Sequence, residues 1–315
     1  MSRLLEGGTK VLSGPYGSVL RSREKELGVL DLHDSTRIVE GGHYRTQTLA
    51  VARAYVEAGA GVIATNTFGA RRLLREDNPG LYREVVEAQI AVVREALSGH
   101  TAKNLVAAFG PYGDCYDPSA APNDSYDARD FHLEQLGVVR DLWKEVGLDA
   151  VVFETICTGR EALGIVLAAK KLGLPVIPSF VIDKDAKLFG GEPLVDVLRQ
   201  IDAATNNYAL GYSVNCCPVK GAEAAIGTAN GKRDRLLMVY PNASDGDPRS
   251  LEEVEGAVTV PDHHTRPAQL VSMAIRNSSI KVIGGCCGFD PHDIENIVNS
   301  VEISRDARGA QIALG

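Results

Sequence analysis

Long hydrophobic runs are missing from this sequence. No apolar stretch approaches the roughly 18 residues that a membrane-spanning helix needs, and residues 1–8 lack the apolar core of a secretory signal. We therefore expect a cytoplasmic protein with no membrane partner. Basic residues are outnumbered by acidic ones: the chain has 33 Lys and Arg and 41 Asp and Glu. The basic residues form no cluster in the sequence. The lack of a basic cluster predicts no nucleic-acid partner.

Two common functional signatures are absent as well. The chain has no Cys-x-x-Cys motif, which argues against thioredoxin-type redox chemistry. It has no Gly-x-Gly-x-x-Gly after its first predicted strand, which argues against a dinucleotide-binding fold. Six cysteines are nevertheless present. In a cytoplasmic chain they point towards metal binding or catalysis rather than disulfides.

Short apolar segments alternate with amphipathic ones along the whole chain. Strands are predicted at 10–14, 61–66, 105–110, 149–154, 175–180, 209–216, 235–240 and 281–283. Helices are predicted at 43–58, 82–97, 131–146, 160–172, 194–203, 220–229, 267–276 and 291–301. Eight such repeats without a break in composition favour an α/β fold. We expect one (β/α)8 TIM barrel, formed as a single domain by residues 1–315.

Three of the connections that follow strands are predicted to be long. After the first strand, residues 15–42 are expected to form a polar, irregular segment. The polar loop 111–130 after the third strand exceeds the usual length of such connections and is a candidate lid. A second polar insertion, 242–265, follows the seventh strand. Its His263 and His264 are expected to be solvated, because adjacent loop residues rarely face one ion.

In a barrel of this kind the active site forms at the C-terminal ends of the strands. Polar or reactive residues occupy all eight predicted ends: Ser13-Gly14, Asn66-Thr67, Gly110-Pro111-Tyr112, Glu154-Thr155, Ser179, Asn215-Cys216, Tyr240-Pro241-Asn242 and Cys286-Cys287. If strands six and eight end close together, Cys216, Cys286 and Cys287 converge. Three thiolates with one open position describe a catalytic zinc site. Cys217 should point to the opposite side of its strand, so it is left out of the ligand set.

These strand-end motifs resemble those of the homocysteine S-methyltransferase family. The resemblance extends from Val11 to about Val298 and is carried by Thr65-Asn66-Thr67-Phe68, Glu154-Thr155, Asn215-Cys216, Tyr240-Pro241-Asn242 and Gly284-Gly285-Cys286-Cys287-Gly288. It implies a Zn²⁺ ion held by Cys216, Cys286 and Cys287, with the Glu154 carboxylate holding the amino group of homocysteine. The predicted substrate-binding set around that group is Ser13, Gly14, Asn66, Thr67, Ser179, Asn215, Tyr240 and Asn242. Asn66 and Asn242 could equally cap the turns they occupy.

The resemblance further implies an activity. A methyl group would pass from a cationic donor to the thiol of homocysteine, giving methionine. S-adenosylmethionine, S-methylmethionine and betaine are the candidate donors. Aromatic faces can hold the onium group of such a donor. The candidate aromatic residues are Tyr16, Phe68, Tyr112, Tyr116 and Tyr240.

Other interpretations of the same residues stay open. Family members commonly carry Asp-Gly where this chain has Ser13-Gly14, so the acceptor could be another thiol or a selenol. A barrel that binds zinc or thiols without catalysis is a second alternative. Glu154 could pair with Arg160 instead of substrate. Cys115 and Cys157, which follow strand ends, could line the pocket or be inert.

Overall fold

A computed structural model of the protein describes residues 3–101, 103–228, 235–244, 246–249 and 266–313. The described strands are parallel and form one sheet in the order β1-β8-β7-β6-β5-β4-β3-β2. They are β1 (Lys10–Val11), β2 (Val62–Ala64), β3 (Asn104–Phe109), β4 (Ala150–Ile156), β5 (Val176–Phe180), β6 (Tyr212–Asn215), β7 (Leu236–Tyr240) and β8 (Val282–Ile283). Most are short apolar runs buried on both faces, as parallel strands covered by helices require.

The sheet closes on itself between its first two strands. Leu12, just after β1, forms a parallel bridge with Val62 of β2. Two backbone hydrogen bonds of 2.8 Å flank this bridge, from Ser13 N to Val62 O and from Gly61 N to Val11 O. Together with the β1–β8 pairing, this contact completes the barrel. The predicted TIM barrel is confirmed.

Ten α-helices are described around the sheet. They are α1 (Tyr16–Leu27), α2 (Gly42–Glu57), α3 (Arg71–Arg75), α4 (Pro79–Ala96), α5 (Ser125–Val146), α6 (Gly159–Leu172), α7 (Leu194–Thr205), α8 (Val219–Thr228), α9 (Arg266–Arg276) and α10 (Pro291–Ala313). Local capping sets several of their bounds. At the start of α6, the Thr158 side chain accepts from Glu161 N, and Gly173 ends the helix in a left-handed conformation.

Alternation along the strands divides the hydrophobic core into two layers. Val106 and Ala108 of β3 point into the barrel, where they join an inner cluster with residues of the other strands. Their neighbours Ala107 and Phe109 point outwards and pack in the larger cluster that includes residues of the surrounding helices. Leu4, from an N-terminal 3₁₀ turn, is fully buried in the inner cluster. The C-terminal mouth is left for polar residues.

The expectation of an irregular segment at 15–42 was wrong over its first half. Tyr16 begins helix α1, which ends at Gly28 in a left-handed conformation. The helix buries only Tyr16 and Leu20, so its apolar periodicity is too sparse to recognise in the sequence. A 3₁₀ helix, Ser35–Glu40, occupies part of the second half.

The long loop after the third strand is confirmed and spans 110–124. It is shorter than predicted, because Asp124 caps α5 by accepting hydrogen bonds from Tyr126 N and Asp127 N. Residues 250–265 of the insertion after β7, with His263 and His264, lie outside the described residues. No helix in the described ranges is long and apolar enough to span a bilayer.

Candidate metal centre

Three cysteine sulfurs meet at the C-terminal mouth of the barrel. Cys216 follows β6, whereas Cys286 and Cys287 follow β8, and their Sγ atoms all lie within 4.8 Å of one another. Sulfur ligands of a tetrahedral Zn²⁺ with Zn–S distances of about 2.3 Å are about 3.8 Å apart. The observed spacing therefore fits one shared ion. The structure brings the predicted cysteine group together.

The pKa values of the three thiols also indicate that the cysteine group would bind a cation. A hydrogen bond with Cys286 raises the pKa of the Cys216 thiol, and burial raises it further. Hydrogen bonds from Cys216 and Cys286 instead hold the pKa of Cys287 well below its usual range. Two thiols thus stabilise one thiolate. Because burial disfavours further negative charge, ionising all three sulfurs requires a positive charge between them.

Glycine residues allow β8 to deliver its two cysteines. A Cβ atom on Gly285 would lie 2.0 Å from Cγ of Phe289, and one on Gly284 would lie 2.9 Å from Cβ of Leu12. Both distances are shorter than van der Waals contact allows. The absence of these two side chains therefore lets the backbone before Cys286 pass between Leu12 and Phe289.

Asn242, predicted to bind substrate, links the two cysteine-bearing segments. Its backbone N donates to Cys217 O at 2.9 Å, and its side-chain Oδ1 accepts from Cys287 N at 3.2 Å. The residue is buried. These contacts hold the strand ends of β6, β7 and β8 in a fixed relation, so Asn242 orders the cysteine group. Its contact with substrate stays a prediction.

Asn215 and Ser179 lie beneath the cysteine group and are fully buried. Asn215 Oδ1 accepts from Ser179 Oγ at 2.7 Å and from Thr155 N at 2.9 Å. Asn215 Nδ2 donates to Thr155 Oγ1 at 3.1 Å. These bonds join β4, β5 and the end of β6. Sequence reasoning did not assign a role to Thr155, which donates one of these bonds through its backbone N and accepts another at Oγ1.

Glu154 and Tyr240 face each other across the mouth. The Tyr240 hydroxyl donates to Glu154 Oε1 at 3.3 Å. Burial raises the pKa of the Glu154 carboxyl to about 7, with a further rise from the negative charge of Cys287 and a partial offset by the Tyr240 hydrogen bond. A half-buried carboxylate beside one phenol is suited to bind an ammonium group. Arg160 donates to the carbonyls of Pro122 and Pro118, so the alternative Glu154–Arg160 pair is absent.

The ends of β1 and β2 carry four predicted substrate contacts. Ser13 Oγ accepts from Ala64 N at 3.0 Å, which fixes the two strand ends together. Gly14 packs so closely on Tyr55 that a Cβ would lie 2.6 Å from its hydroxyl. Thr67 is fully buried and donates to Ala108 O. Asn66 differs, because its buried Nδ2 atom has no hydrogen-bond partner among the described residues. Of these four, Asn66 has a side-chain donor free for a ligand.

The loop 110–124 brings Tyr116 to the cysteine group. The charge of Cys216 is the chief cause that raises the pKa of Tyr116, followed by burial and the charges of Cys287, Cys115 and Cys286. Its ring lies 6.2 Å from that of Phe189, an aromatic neighbour that sequence reasoning missed. Tyr116 and Tyr240 are therefore the two predicted aromatics shown to lie at the centre.

The other three predicted aromatics are engaged within the protein. Tyr16 packs edge-on against Tyr55, and Tyr112 packs edge-on against Phe131. The Phe68 ring is covered by the guanidinium of Arg71 at 4.5 Å. These contacts occupy faces or edges that a donor would need.

Buried charges anchor the loop 110–124 at its base. Glu161 Oε1 accepts from Tyr112 N at 2.6 Å and contacts His132 Nε2 at 3.2 Å. Arg71 donates to Gly113 O at 3.3 Å. Arg160 binds the far side of the loop through the two carbonyls named above. The candidate lid is thus a held loop with a defined path over the centre.

The remaining cysteines do not join the group. Cys217 is fully buried in the outer hydrophobic cluster, and burial raises its pKa to about 12. The structure places Cys217 outside the group of three sulfurs, and its exclusion from the ligand set stays a prediction. Burial also raises the pKa of Cys157 and that of Cys115 to about 12. Both are therefore protonated near neutral pH.

Fold and site together define a TIM-barrel protein whose C-terminal mouth carries three cysteines at a spacing that fits one metal ion. The family model of homocysteine S-methyltransferase matches residues 10–301. The chain belongs to this family. The resemblance seen in the strand-end motifs is confirmed, and relatives that carry the family name are enzymes.

Curated relatives match most of the chain. Homocysteine S-methyltransferase 1 of Arabidopsis thaliana is 28% identical over 268 residues, which cover 77% of this chain and 79% of the relative. Homocysteine S-methyltransferase of Escherichia coli is 28% identical over 245 residues, or 72% of this chain and 73% of the relative.

A solved structure supports the fold independently. The oxidized form of the homocysteine methyltransferase MmuM from Escherichia coli has a TM-score of 0.71 at 19% identity and covers 93% of this chain and 96% of its own. Its metallated form has a TM-score of 0.68 at 18% identity, with the same coverage of both chains. At this identity the likeness shows a shared barrel.

Proposed function

We propose that this protein transfers a methyl group from a cationic donor to the thiol of homocysteine, giving methionine, at a Zn²⁺ ion held by Cys216, Cys286 and Cys287. The convergence of the three Sγ atoms within 4.8 Å carries the proposal. Family membership supports homocysteine as acceptor, and the existence of a metallated MmuM structure supports a metal. We further propose that residues 1–315 form a single domain that works in the cytoplasm.

A Zn²⁺ ion held by Cys216, Cys286 and Cys287 would supply positive charge that favours ionisation of an incoming thiol. The other residues of the mouth orient the substrate beside these cysteines. Glu154, held by Tyr240, binds the ammonium group as a carboxylate. Backbone amides of the turn that begins at Gly14, together with the free Asn66 Nδ2, bind the carboxylate. Thr67, Ser179, Asn215 and Asn242 hold these groups in place through their protein contacts.

We propose a sulfonium donor, S-methylmethionine or S-adenosylmethionine, with betaine as the ammonium alternative. The substrate sulfur attacks the methyl carbon in line with the bond that breaks, and the electron pair of that bond leaves with a neutral thioether. Tyr116 and Tyr240 present aromatic rings beside the thiolates. Aromatic faces and thiolate charge both attract an onium group.

A second acceptor is favoured by one observation. Ser13 stands where family members commonly have an aspartate, and its Oγ already accepts a hydrogen bond from Ala64 N. The site therefore holds one negative charge fewer near the substrate's ammonium group. The alternative acceptor is a different thiol, or a selenol, whose binding does not require a carboxylate at position 13.

Methionine formation tests the main proposal. Zinc-loaded protein is incubated with homocysteine and each donor in turn, and methionine is quantified by mass spectrometry. Cys287→Ala should abolish both zinc retention and product, whereas Cys217→Ala, a change to the neighbouring cysteine that lies in the core, should retain both. Zinc-loaded protein that gives no methionine from any donor would overturn the homocysteine assignment.

The same assay separates the two acceptors. Equal concentrations of homocysteine, cysteine and a selenol analogue compete for one donor, and each methylated product is quantified. Preferential formation of methionine supports homocysteine. A dominant product from either competitor would favour the alternative acceptor.

A further inference from the structure

Thr155 lies against one of the three cysteines. Its hydroxyl donates to Cys216 Sγ over 3.8 Å, and both residues are buried. Both also have left-handed backbones, with φ of 61° at Thr155 and 48° at Cys216. A β-branched residue rarely adopts such a backbone. Strain of this kind persists only where the surrounding structure enforces it, and it concentrates at functional sites.

Asn215 determines where the Thr155 proton points. The Thr155 backbone N–H can only donate, so the side-chain atom of Asn215 that it contacts at 2.9 Å must be the acceptor Oδ1. The other atom, Nδ2, therefore donates to Thr155 Oγ1 at 3.1 Å. Ser179 Oγ then donates to the same Oδ1 at 2.7 Å.

The hydroxyl of Thr155 thus accepts from Asn215 and keeps its own hydrogen for a different acceptor. Cys216 Sγ is the acceptor within reach. The chain of bonds runs in one direction, from Asn215 through Thr155 to the sulfur. A hydrogen bond that is donated to a thiolate withdraws charge from it and weakens it as a nucleophile.

We propose that Thr155 is a positioning residue that lowers the nucleophilicity of Cys216 and so protects this sulfur from methylation by the donor. The inference rests on the proposed metal site, but not on homocysteine as acceptor. Any site that places thiolates beside a methyl cation source exposes its own ligands to the same attack. In that side reaction Cys216 Sγ would bond to the methyl carbon, and the donor's broken bond would give its electron pair to a neutral thioether.

Iodomethane tests the inference because this small methylating reagent does not need to bind in the donor pocket. Zinc-loaded full-length protein is treated with this probe in the absence of homocysteine, and peptide mass spectrometry measures how methylation divides among Cys216, Cys286 and Cys287. A tenfold change in thiolate basicity changes nucleophilicity about threefold. The ratio of methylation at Cys216 to methylation at Cys286 should therefore rise about threefold in Thr155→Val, if the loss of this bond raises the basicity of the sulfur about tenfold. Thr155→Ser, which keeps the hydroxyl, should restore the wild-type division.

A second variant keeps the proposal testable if Thr155→Val does not fold. Asn215→Asp replaces the donor Nδ2 by an acceptor oxygen, which draws the Thr155 hydrogen away from Cys216 while Thr155 itself is kept. The Cys216 share should rise here too, in protein whose zinc content is measured. An unchanged division in both variants, or Cys216 as the most reactive cysteine of the wild-type protein, would overturn the proposal. Neither result depends on methionine formation, so the proposed activity is tested separately.

Discussion

The Tyr240 hydroxyl donates to the Glu154 carboxylate at 3.3 Å. The two residues belong to β7 and β4, which are separated in the sheet by β6 and β5. The bond therefore spans the mouth of the barrel above the buried polar layer formed by Asn215 and Ser179. Burial raises the pKa of Glu154 to about 7 and the Tyr240 bond limits that rise. The proposed ammonium-binding group consequently ionises close to neutral pH.

The first prediction concerns pH and activity. Glu154 must be ionised to bind the substrate's ammonium group, so kcat/KM for homocysteine should fall as pH decreases below about 7. Tyr240→Phe removes the bond that lowers the Glu154 pKa, so the acid limb should move to higher pH. Tyr208→Phe, which removes a hydroxyl bonded to Ala169 O and Leu174 O, is the matched control. If kcat/KM falls at the same pH in Tyr240→Phe and in the wild type, Glu154 is not the group that titrates.

The second prediction concerns stability. The folded-state pKa of Glu154, about 7, lies above the ordinary value of 4.5 for a glutamate, so folding favours the protonated carboxyl. The resulting stabilisation is complete below the unfolded pKa and is lost as pH rises through the folded pKa. Zinc-free Glu154→Gln, which cannot ionise, should therefore exceed the wild type in unfolding free energy by about 1–3 kcal/mol at about pH 8. Urea titrations should show this difference shrinking towards about pH 4; a constant difference would contradict it.

The barrel and its cysteine group could be predicted because both depend on simple periodicities. Regular alternation of strands and helices fixes a parallel sheet, and parallel strands place all their C-terminal ends at one mouth. Alternation within a strand also separated Cys216 from Cys217, which is buried in the outer core. Eight strands and one site follow from these two rules.

Other features depended on partners that are distant in the sequence. The side-chain amide of Asn215 bonds to Thr155 and Ser179, which are 60 and 36 residues away. The sequence around Asn215 therefore does not distinguish this structural role from a contact with substrate. Helix α1 was missed because only Tyr16 and Leu20 are buried along it. In both cases tertiary packing decides what the local pattern leaves open.

The third prediction concerns Gly285, whose lack of a side chain lets the backbone before Cys286 pass Phe289. Gly285→Ala should displace Cys286 and Cys287, because the added Cβ would meet Phe289 at 2.0 Å. Overpacking of this kind costs about 1–3 kcal/mol or more, and zinc affinity, measured by competition with a chelator, should fall with stability. Gly137→Ala in α5, where a Cβ meets nothing within 4 Å, is the control and should stabilise by about 0.5–1 kcal/mol. Unchanged zinc affinity in Gly285→Ala would show that this backbone can relax.

The fourth prediction concerns the loop 110–124, which Arg160 holds from outside. The Arg160 guanidinium donates to Pro122 O at 2.6 Å and to Pro118 O at 3.0 Å, and the loop carries Tyr116 over the cysteine group. Arg160→Ala removes two hydrogen bonds, each contributing about 0.5–1.5 kcal/mol. Because the proposed donor pocket includes Tyr116 while Glu154 holds the acceptor, KM for the donor should rise several-fold and KM for homocysteine should change less. Steady-state kinetics with each substrate varied in turn measures the difference, and Arg140→Ala on the exposed face of α5 is the control. Equal increases in both KM values would instead indicate a general loosening of the barrel mouth.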